Sequence, residues 1–190
     1  MNHLLVAKVG GSLFDLPDLH DRLRVWLSRF GDRLVLLVPG GGPAADAIRC
    51  LDQTHRLGEA TAHWLALRVL TVNAHFLSVL LGIDVVPVPS QLSQRIAVLD
   101  AHAFCRADEG RTGAVEHSWR VTSDSIAARA AGVTGRELVL LKSSDLPAGM
   151  MWTEASRARL VDEAFAEIVS DNRVRVSWVN LRARDFAPRR

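Results

Sequence analysis

Two lysines, two glycine clusters and one aspartate carry most of the chemistry this chain can offer. Lysine occurs only at Lys8 and Lys142, so 21 of the 23 basic side chains are arginine. Each lysine stands at the carboxyl end of an apolar run, LLVAKV for Lys8 and LVLLK for Lys142. An ammonium group is a compact charge on a flexible stem and can follow a moving anion, whereas the guanidinium fork is planar and rigid. After the first run comes Gly10-Gly11-Ser12, and after the next comes Pro39-Gly40-Gly41-Gly42-Pro43. Glycines let backbone N–H groups close on an anion with no Cβ in the way. A helix N-terminus just beyond them adds roughly 0.3 to 1 kcal/mol per negative charge at exposed sites. Such loops suit a phosphate-bearing ligand.

In TSDSIAARAAG, residues 122–132, Ser123 or Asp124 reads as the N-cap of a helix of small residues. Beside two lysines, Asp124 has a second reading. Its carboxylate accepts hydrogen bonds from both ammonium groups and holds them for in-line phosphoryl transfer, in which positioning and electrostatics supply most of the catalysis. Other chemistries have less support. No GxGxxG or GxxxxGK[ST] pattern occurs, which tells against dinucleotide and P-loop sites. His102 and Cys105 have no second ligand pair, so no metal site is expected. Ser90, Ser93 and Ser125 lack a recognisable histidine partner motif, which leaves a hydrolase little basis.

These groups need a scaffold that brings distant segments together, and the pattern of the chain supplies one. Apolar, branched runs at 4–9, 33–38, 84–88, 95–100, 137–142 and 174–181 read as strands. They alternate with helical patterns at 18–30, 43–57, 60–81, 123–131 and 154–169. That alternation is the signature of an open, mostly parallel α/β sheet covered on both faces, and in such sheets ligands bind beyond the carboxyl ends of the strands. Residues 102–120 are polar and irregular and read as a surface excursion. On the 60–81 helix, Thr61, Arg68, Thr71, His75 and Ser78 draw one narrow polar stripe. The remainder must be covered on nearly all sides, which points to a second copy of the chain, a homodimer or higher homo-oligomer, alongside a monomeric core.

Length and composition narrow the partners. A chain of 190 residues supports one core, burying about 70% of its unfolded surface, so a single domain is expected. A net charge of +2 without a basic run tells against nucleic acid, and the terminal Arg189 and Arg190 read as a solvated tail. Only Cys50 and Cys105 are present, which fits a reducing cytoplasm. The apolar stretch after the N-terminal Met is too short for a signal peptide. The one near Trp64 to Leu81 is interrupted by Arg68, Asn73 and His75 and reads as falling short of a membrane span.

Taken in order, KVGGS, PGGG, VTSDSIAARAA and LVLLKSSD resemble the amino acid kinase superfamily, over Lys8 to about Phe165. The resemblance implies a three-layer α/β/α sandwich with the acceptor in its N-terminal half and ATP with Mg2+ in its C-terminal half. By that likeness Lys8 neutralises the transferring phosphoryl group, and Gly10, Gly11 and Ser12 donate to donor phosphates. Gly40, Gly41 and Gly42 lie under the acceptor, and Asp124 organises the site. Lys142, with Ser143 and Asp145, falls on the nucleotide side. The chain looks most similar to the small branch that includes an archaeal kinase of an aminomethylfuran-methyl phosphate in methanofuran synthesis, with which AHWLALRVL, residues 62–70, also agrees. It lacks the histidine that follows the glycine loop in isopentenyl phosphate kinases and the Asn-containing continuation of uridylate kinases. It also lacks the late lysine of many members: AGMMWTEASRAR contains none, and Arg157 or Arg159 is the candidate replacement. The expected activity is phosphotransfer from ATP to a phosphate or carboxylate acceptor. The alternative is a protein of the same fold that binds oxyanions or nucleotide without turnover.

Overall fold

A computed structural model describes residues 4–135 and 137–185; the terminal arginines lie outside the described residues. Six strands, β1 (Leu5–Val9), β2 (Val35–Pro39), β3 (Asp84–Val86), β4 (Ile96–Leu99), β5 (Glu137–Lys142) and β6 (Arg175–Asn180), form one sheet in the order β3-β4-β2-β1-β5-β6. Every neighbouring pair is parallel. The central strands β1 and β2 are buried at every position, which is why they read as continuous apolar runs rather than as alternating ones.

Among the described residues seven α-helices cover the sheet: α1 (Leu19–Ser28), α2 (Gly42–His55), α3 (Glu59–Leu81), α4 (Ala101–Asp108), α5 (Ser123–Gly132), α6 (Trp152–Arg157) and α7 (Phe165–Asp171). On one face Val6, Leu36, Leu138 and Leu140 pack with Leu67 and Leu70 of α3, Phe104 of α4, Ile126 of α5 and Phe165 of α7. On the other, Leu5, Ala7, Val9 and Leu37 pack with Leu19, Leu23 and Trp26 of α1 and with Ala74 and Leu77 of α3. The result is the helix–sheet–helix layering expected from the alternating pattern. Alanines 127, 128, 130 and 131 are fully buried and let α5 lie directly on β1 and β5.

Three sequence expectations are corrected. The segment 154–169 is not one helix: α6 ends at Arg157 and α7 begins at Phe165, with Arg159 in the left-handed region at φ 57° between them. The break delivers the Leu160 carbonyl and the Asp162 carboxylate to the strand-end crevice, contacts that local propensity does not encode. Residues 102–120 are not all loop: 102–108 continue α4, capped by Asp100 Oδ1, which accepts from the Ala103 N–H at 3.1 Å. Phe104 and Cys105 are buried there, so the irregular part starts at Glu109.

The third correction concerns α3. At 23 residues it is long and apolar enough, by length and composition, to cross a membrane. In the fold it packs along β2, β4, α2 and α4. Its polar stripe is only partly outward. Arg68 and His75 are exposed, whereas the Thr71 hydroxyl donates to Asp100 Oδ1 at 2.6 Å and that of Ser78 to the Ile83 carbonyl at 2.5 Å. Its outward face instead carries Val72, Phe76 and Val79, which are 65%, 40% and 85% exposed.

Candidate active site

Strands added after β1 go first to one side of it, as β2, β4 and β3, and then to the other, as β5 and β6. The carboxyl ends of β2, β1 and β5 therefore surround a topological switch point, the place where open parallel sheets bind ligands. Lys8, the two glycine loops and Lys142 all arrive there. In register, Lys8 pairs with Leu140, so Lys142, two residues further along β5, lies on the same face as Lys8. That face is the one α5 covers.

Asp124 closes the arrangement. Lys142 Nζ donates to Asp124 Oδ2 at 2.8 Å, and Lys8 Nζ lies 3.0 Å from Asp124 Oδ1. Lys142 also donates to the Leu160 carbonyl at 2.7 Å, and its Nζ sits 5.3 Å from the centre of the Trp178 ring. All three side chains are nearly buried, at 7% exposure for Lys8 and Asp124 and 12% for Lys142. Burial works against the charge on Asp124, but Lys142 and then Lys8 outweigh it and hold its carboxyl below the ordinary value. Burial depresses Lys142 to about 8, against the attraction of Asp124. Two ammonium groups share one carboxylate, so the charged triad keeps an unbalanced positive charge at the bottom of a crevice.

Asp124 is not the N-cap. Thr122 is, and its side chain makes no capping bond. Asp162 caps the helix from outside. Its Oδ2 accepts from the Thr122 N–H at 2.9 Å, the Thr122 hydroxyl at 2.8 Å and the Ser125 N–H at 3.0 Å, while Oδ1 accepts from the Ser125 hydroxyl. Burial and the charge of Asp124 push the Asp162 carboxyl up, against these bonds. Because Asp162 satisfies the first turn of α5, Asp124 is free for the lysines.

The glycine loops pack backbone on backbone. A Cβ on Gly11 would stand 2.1 Å from the Gly42 nitrogen, and one on Gly40 would stand 2.2 Å from the Gly11 nitrogen. Asn73, buried in the middle of α3, donates to the Gly40 and Gly41 carbonyls at 2.7 and 2.9 Å and fixes the second loop. The Ser12 and Ser143 hydroxyls are 2.8 Å apart and join the ends of β1 and β5. Gly10 spends its N–H on the Leu141 carbonyl and Gly40 its own on the Val9 carbonyl.

Two cavities open at this point. The first, about 240 Å³, is walled by Lys8, Gly10, Gly11, Ser12, Gly41 and Gly42, continues past Asp46, Arg49, His63 and Trp119, and reaches Lys142. The second, about 790 Å³, is walled by Asp124, Lys142, Arg157, Arg159 and Asp162, again with Arg49 and Trp119. Gly40, Ser143 and Asp145 line neither cavity, and Asp145 is exposed. His63 donates through Nδ1 to the Ser118 carbonyl at 3.0 Å; burial, and then His117, lower its pKa despite that bond, and among the described residues its buried Nε2 has no hydrogen-bond partner.

Sequence reasoning missed Arg49, His63, Asn73, Trp119 and Asp162. Asn73 and His63 had a signal, as polar side chains in a nearly apolar helix. The other three had none, since arginine, tryptophan and aspartate at those places fit an ordinary surface.

No family model matches the chain. In sequence it is similar to the [5-(aminomethyl)furan-3-yl]methyl phosphate kinase of Methanocaldococcus jannaschii, at 25% identity over 127 residues. The match takes in 64% of this chain and 56% of that protein, so the chain spans little more than half the length of the curated relative it matches. In fold it is similar to uridylate kinase from Archaeoglobus fulgidus, with a TM-score of 0.64 at 16% identity over 92% of this chain and 88% of the other. UMP kinase from Bacillus anthracis gives 0.60 at 12% identity, over 96% and 88%. Aspartate kinase from Clostridium acetobutylicum gives 0.52 at 12%, over 92% and 59%. The chain is thus similar in fold to three kinases and in sequence to a fourth, the likeness that its motifs carry to the amino acid kinase superfamily.

Proposed function

We propose that the chain is an ATP-dependent small-molecule kinase that moves the γ-phosphoryl group of ATP to a phosphate or carboxylate acceptor. The observation that supports this reading is the buried Lys8–Asp124–Lys142 triad, held at 3.0 and 2.8 Å where two cavities meet. The cavity beside Arg157 and Arg159 takes the triphosphate, and the one over the glycine loops takes the acceptor. In the transition state charge spreads over the three equatorial oxygens of the migrating group, and fixed ammonium groups stabilise it without reorganising. Asp124 holds both groups in place and favours the charged form of Lys142. Lys142 completes the clamp, and Arg157 or Arg159, which wall the donor cavity, takes the place of the late lysine. Gly10, Gly11 and Ser12 border the transferring phosphate, and Gly41 and Gly42 border the acceptor, with Gly40 acting through the packing of the two loops. Ser143 tethers Ser12, and Asp145 lies at the outer nucleotide side.

Among the described residues no three His, Cys, Asp or Glu side chains cluster to hold a metal. This suits Mg2+ that arrives with ATP, held by phosphate oxygens, water and at most one or two carboxylates. Bound there, the ion would neutralise phosphate charge. An acceptor like that of the Methanocaldococcus relative, in a C1-carrier cofactor pathway of the methanofuran type, is the finer form of the proposal. The apolar outer face of α3 supports a homodimer.

The test is ADP release with a panel of acceptors: UMP, aspartate, carbamate and [5-(aminomethyl)furan-3-yl]methyl phosphate. Turnover with one of them, reduced roughly 100-fold or more in Lys8→Met and Asp124→Asn, is expected. ATP binding with equal background in all three proteins would instead establish a binding protein without turnover.

A further inference from the structure

Resting on that kinase reading, we propose that Arg49 is a further catalytic cation, which accompanies the phosphoryl group from the donor cavity to the acceptor cavity. Four residues wall both cavities: Arg49, Trp119, Thr122 and Lys142. A group that passes from one cavity to the other meets this shared wall, and Arg49 and Lys142 are its two cations. Lys142 is locked by Asp124 and the Leu160 carbonyl. Arg49 is not. Its guanidinium carbon rests 4.8 Å from the centre of the Trp119 ring, and it pairs with Asp46 at 2.9 Å between side chains that are 42% and 71% exposed. Exposed pairs of this kind bind weakly, so the guanidinium can exchange Asp46 for phosphoryl oxygen while it stays on the ring.

The platform itself is fixed by α2. Trp119 Nε1 donates to Asp52 Oδ2 at 2.8 Å. Asp46, Arg49 and Asp52 recur every three residues along α2, so one helix face carries the resting partner, the cation and the anchor of its platform. Cations then run in series: Arg157 and Arg159 at the donor cavity, Lys142 and Arg49 at the junction, and Lys8 at the acceptor cavity. In the step, an acceptor oxyanion forms a bond to the γ-phosphorus while the bond from that phosphorus to the β,γ-bridging oxygen breaks, and its electron pair leaves with ADP. Arg49 loses no proton; it donates hydrogen bonds to the equatorial oxygens.

Calorimetric binding of β,γ-imido-ATP and of ADP, each with Mg2+, tests the assignment without an identified acceptor. Wild type should prefer the triphosphate. Arg49→Ala should lose about tenfold of that preference while ADP affinity stays within about twofold, which also shows that the variant is folded. Arg49→Lys should keep part of it, and Trp119→Ala should follow Arg49→Ala. Arg106→Ala, at a residue stacked on Trp64 and lining neither cavity, should match wild type. With a productive acceptor, Arg49→Ala should lower kcat more than it raises KM. An undiminished preference in Arg49→Ala overturns the role of Arg49 alone. A wild type that does not discriminate the two nucleotides likewise overturns the role of Arg49 alone, whereas a wild type that binds neither overturns the kinase reading, and this proposal with it.

Discussion

The residue on which most turns is Lys142, because its usefulness depends on a proton that burial makes easy to lose. With its pKa lowered to about 8, the free protein carries the ammonium below that pH and loses it above. The sign follows: kcat/KM should be flat towards neutral pH and fall as pH rises through about 8. Bound phosphate favours the charged form, so the corresponding limb in kcat should lie at higher pH. Identical limbs in the two profiles would contradict the assignment. Removing the anion while keeping the shape, as in Asp124→Asn, leaves two ammonium groups facing each other and should move the kcat/KM limb of any residual activity to lower pH. At Lys8 a guanidinium cannot replace the point charge in a nearly closed site, so Lys8→Arg should lose most turnover; full activity would refute the role given to Lys8.

At the scale of elements, the site depends on how α5 and α3 are held. Asp162 binds two N–H groups and two hydroxyls at the start of α5. Asp162→Ala should cost about 1 to 3 kcal/mol in urea unfolding and should lower turnover more than ATP affinity, since Asp124 then drifts from the lysines. Asn73→Leu removes the donor to two buried carbonyls and should cost a similar amount, about 1 to 3 kcal/mol, with weaker acceptor binding as the second glycine loop loosens. Unchanged unfolding midpoints in both variants would show that these bonds contribute nothing. The helix break at 158–164 belongs here too. Asp162 and the Leu160 carbonyl reach the site because α6 stops at Arg157 and Arg159 takes a left-handed turn.

For the whole molecule, the open question of surface is the outer side of α3, where Val72, Phe76 and Val79 stand exposed at i, i+4 and i+7. Sedimentation at micromolar concentration should show a dimer, and Val79→Asp should shift it to monomer without changing ATP affinity. A wild type that sediments as monomer at all concentrations would end that expectation. At the same scale, the order of strands brings Lys8, the glycine loops, Asp124 and Lys142 to one end of one sheet, although they are spread over some 130 residues of chain.

The sequence by itself determined the sheet and the chemistry of its centre. Strands buried on both faces read as apolar runs, as β1, β2 and the middle of β5 do, and all six runs are visible within a residue or two at most ends even though β3 and β6 are only partly buried. Lysine is so scarce in this chain that Lys8 and Lys142 stand out, and glycine at a strand end has few other uses than a close backbone approach. The shared face of the two lysines followed from register once the strands were paired. Only the tertiary structure decided the rest. Asp162 replaced Asp124 as the cap of α5, because a carboxylate 37 residues beyond Ser125 in sequence reaches the same N–H groups. Arg49 and Trp119 came to stand between two cavities because Trp119, in the loop between α4 and α5, is anchored on α2 through Asp52 and Arg49. Long-range contacts of this kind leave no periodicity and no local propensity, and they are invisible until the chain is folded.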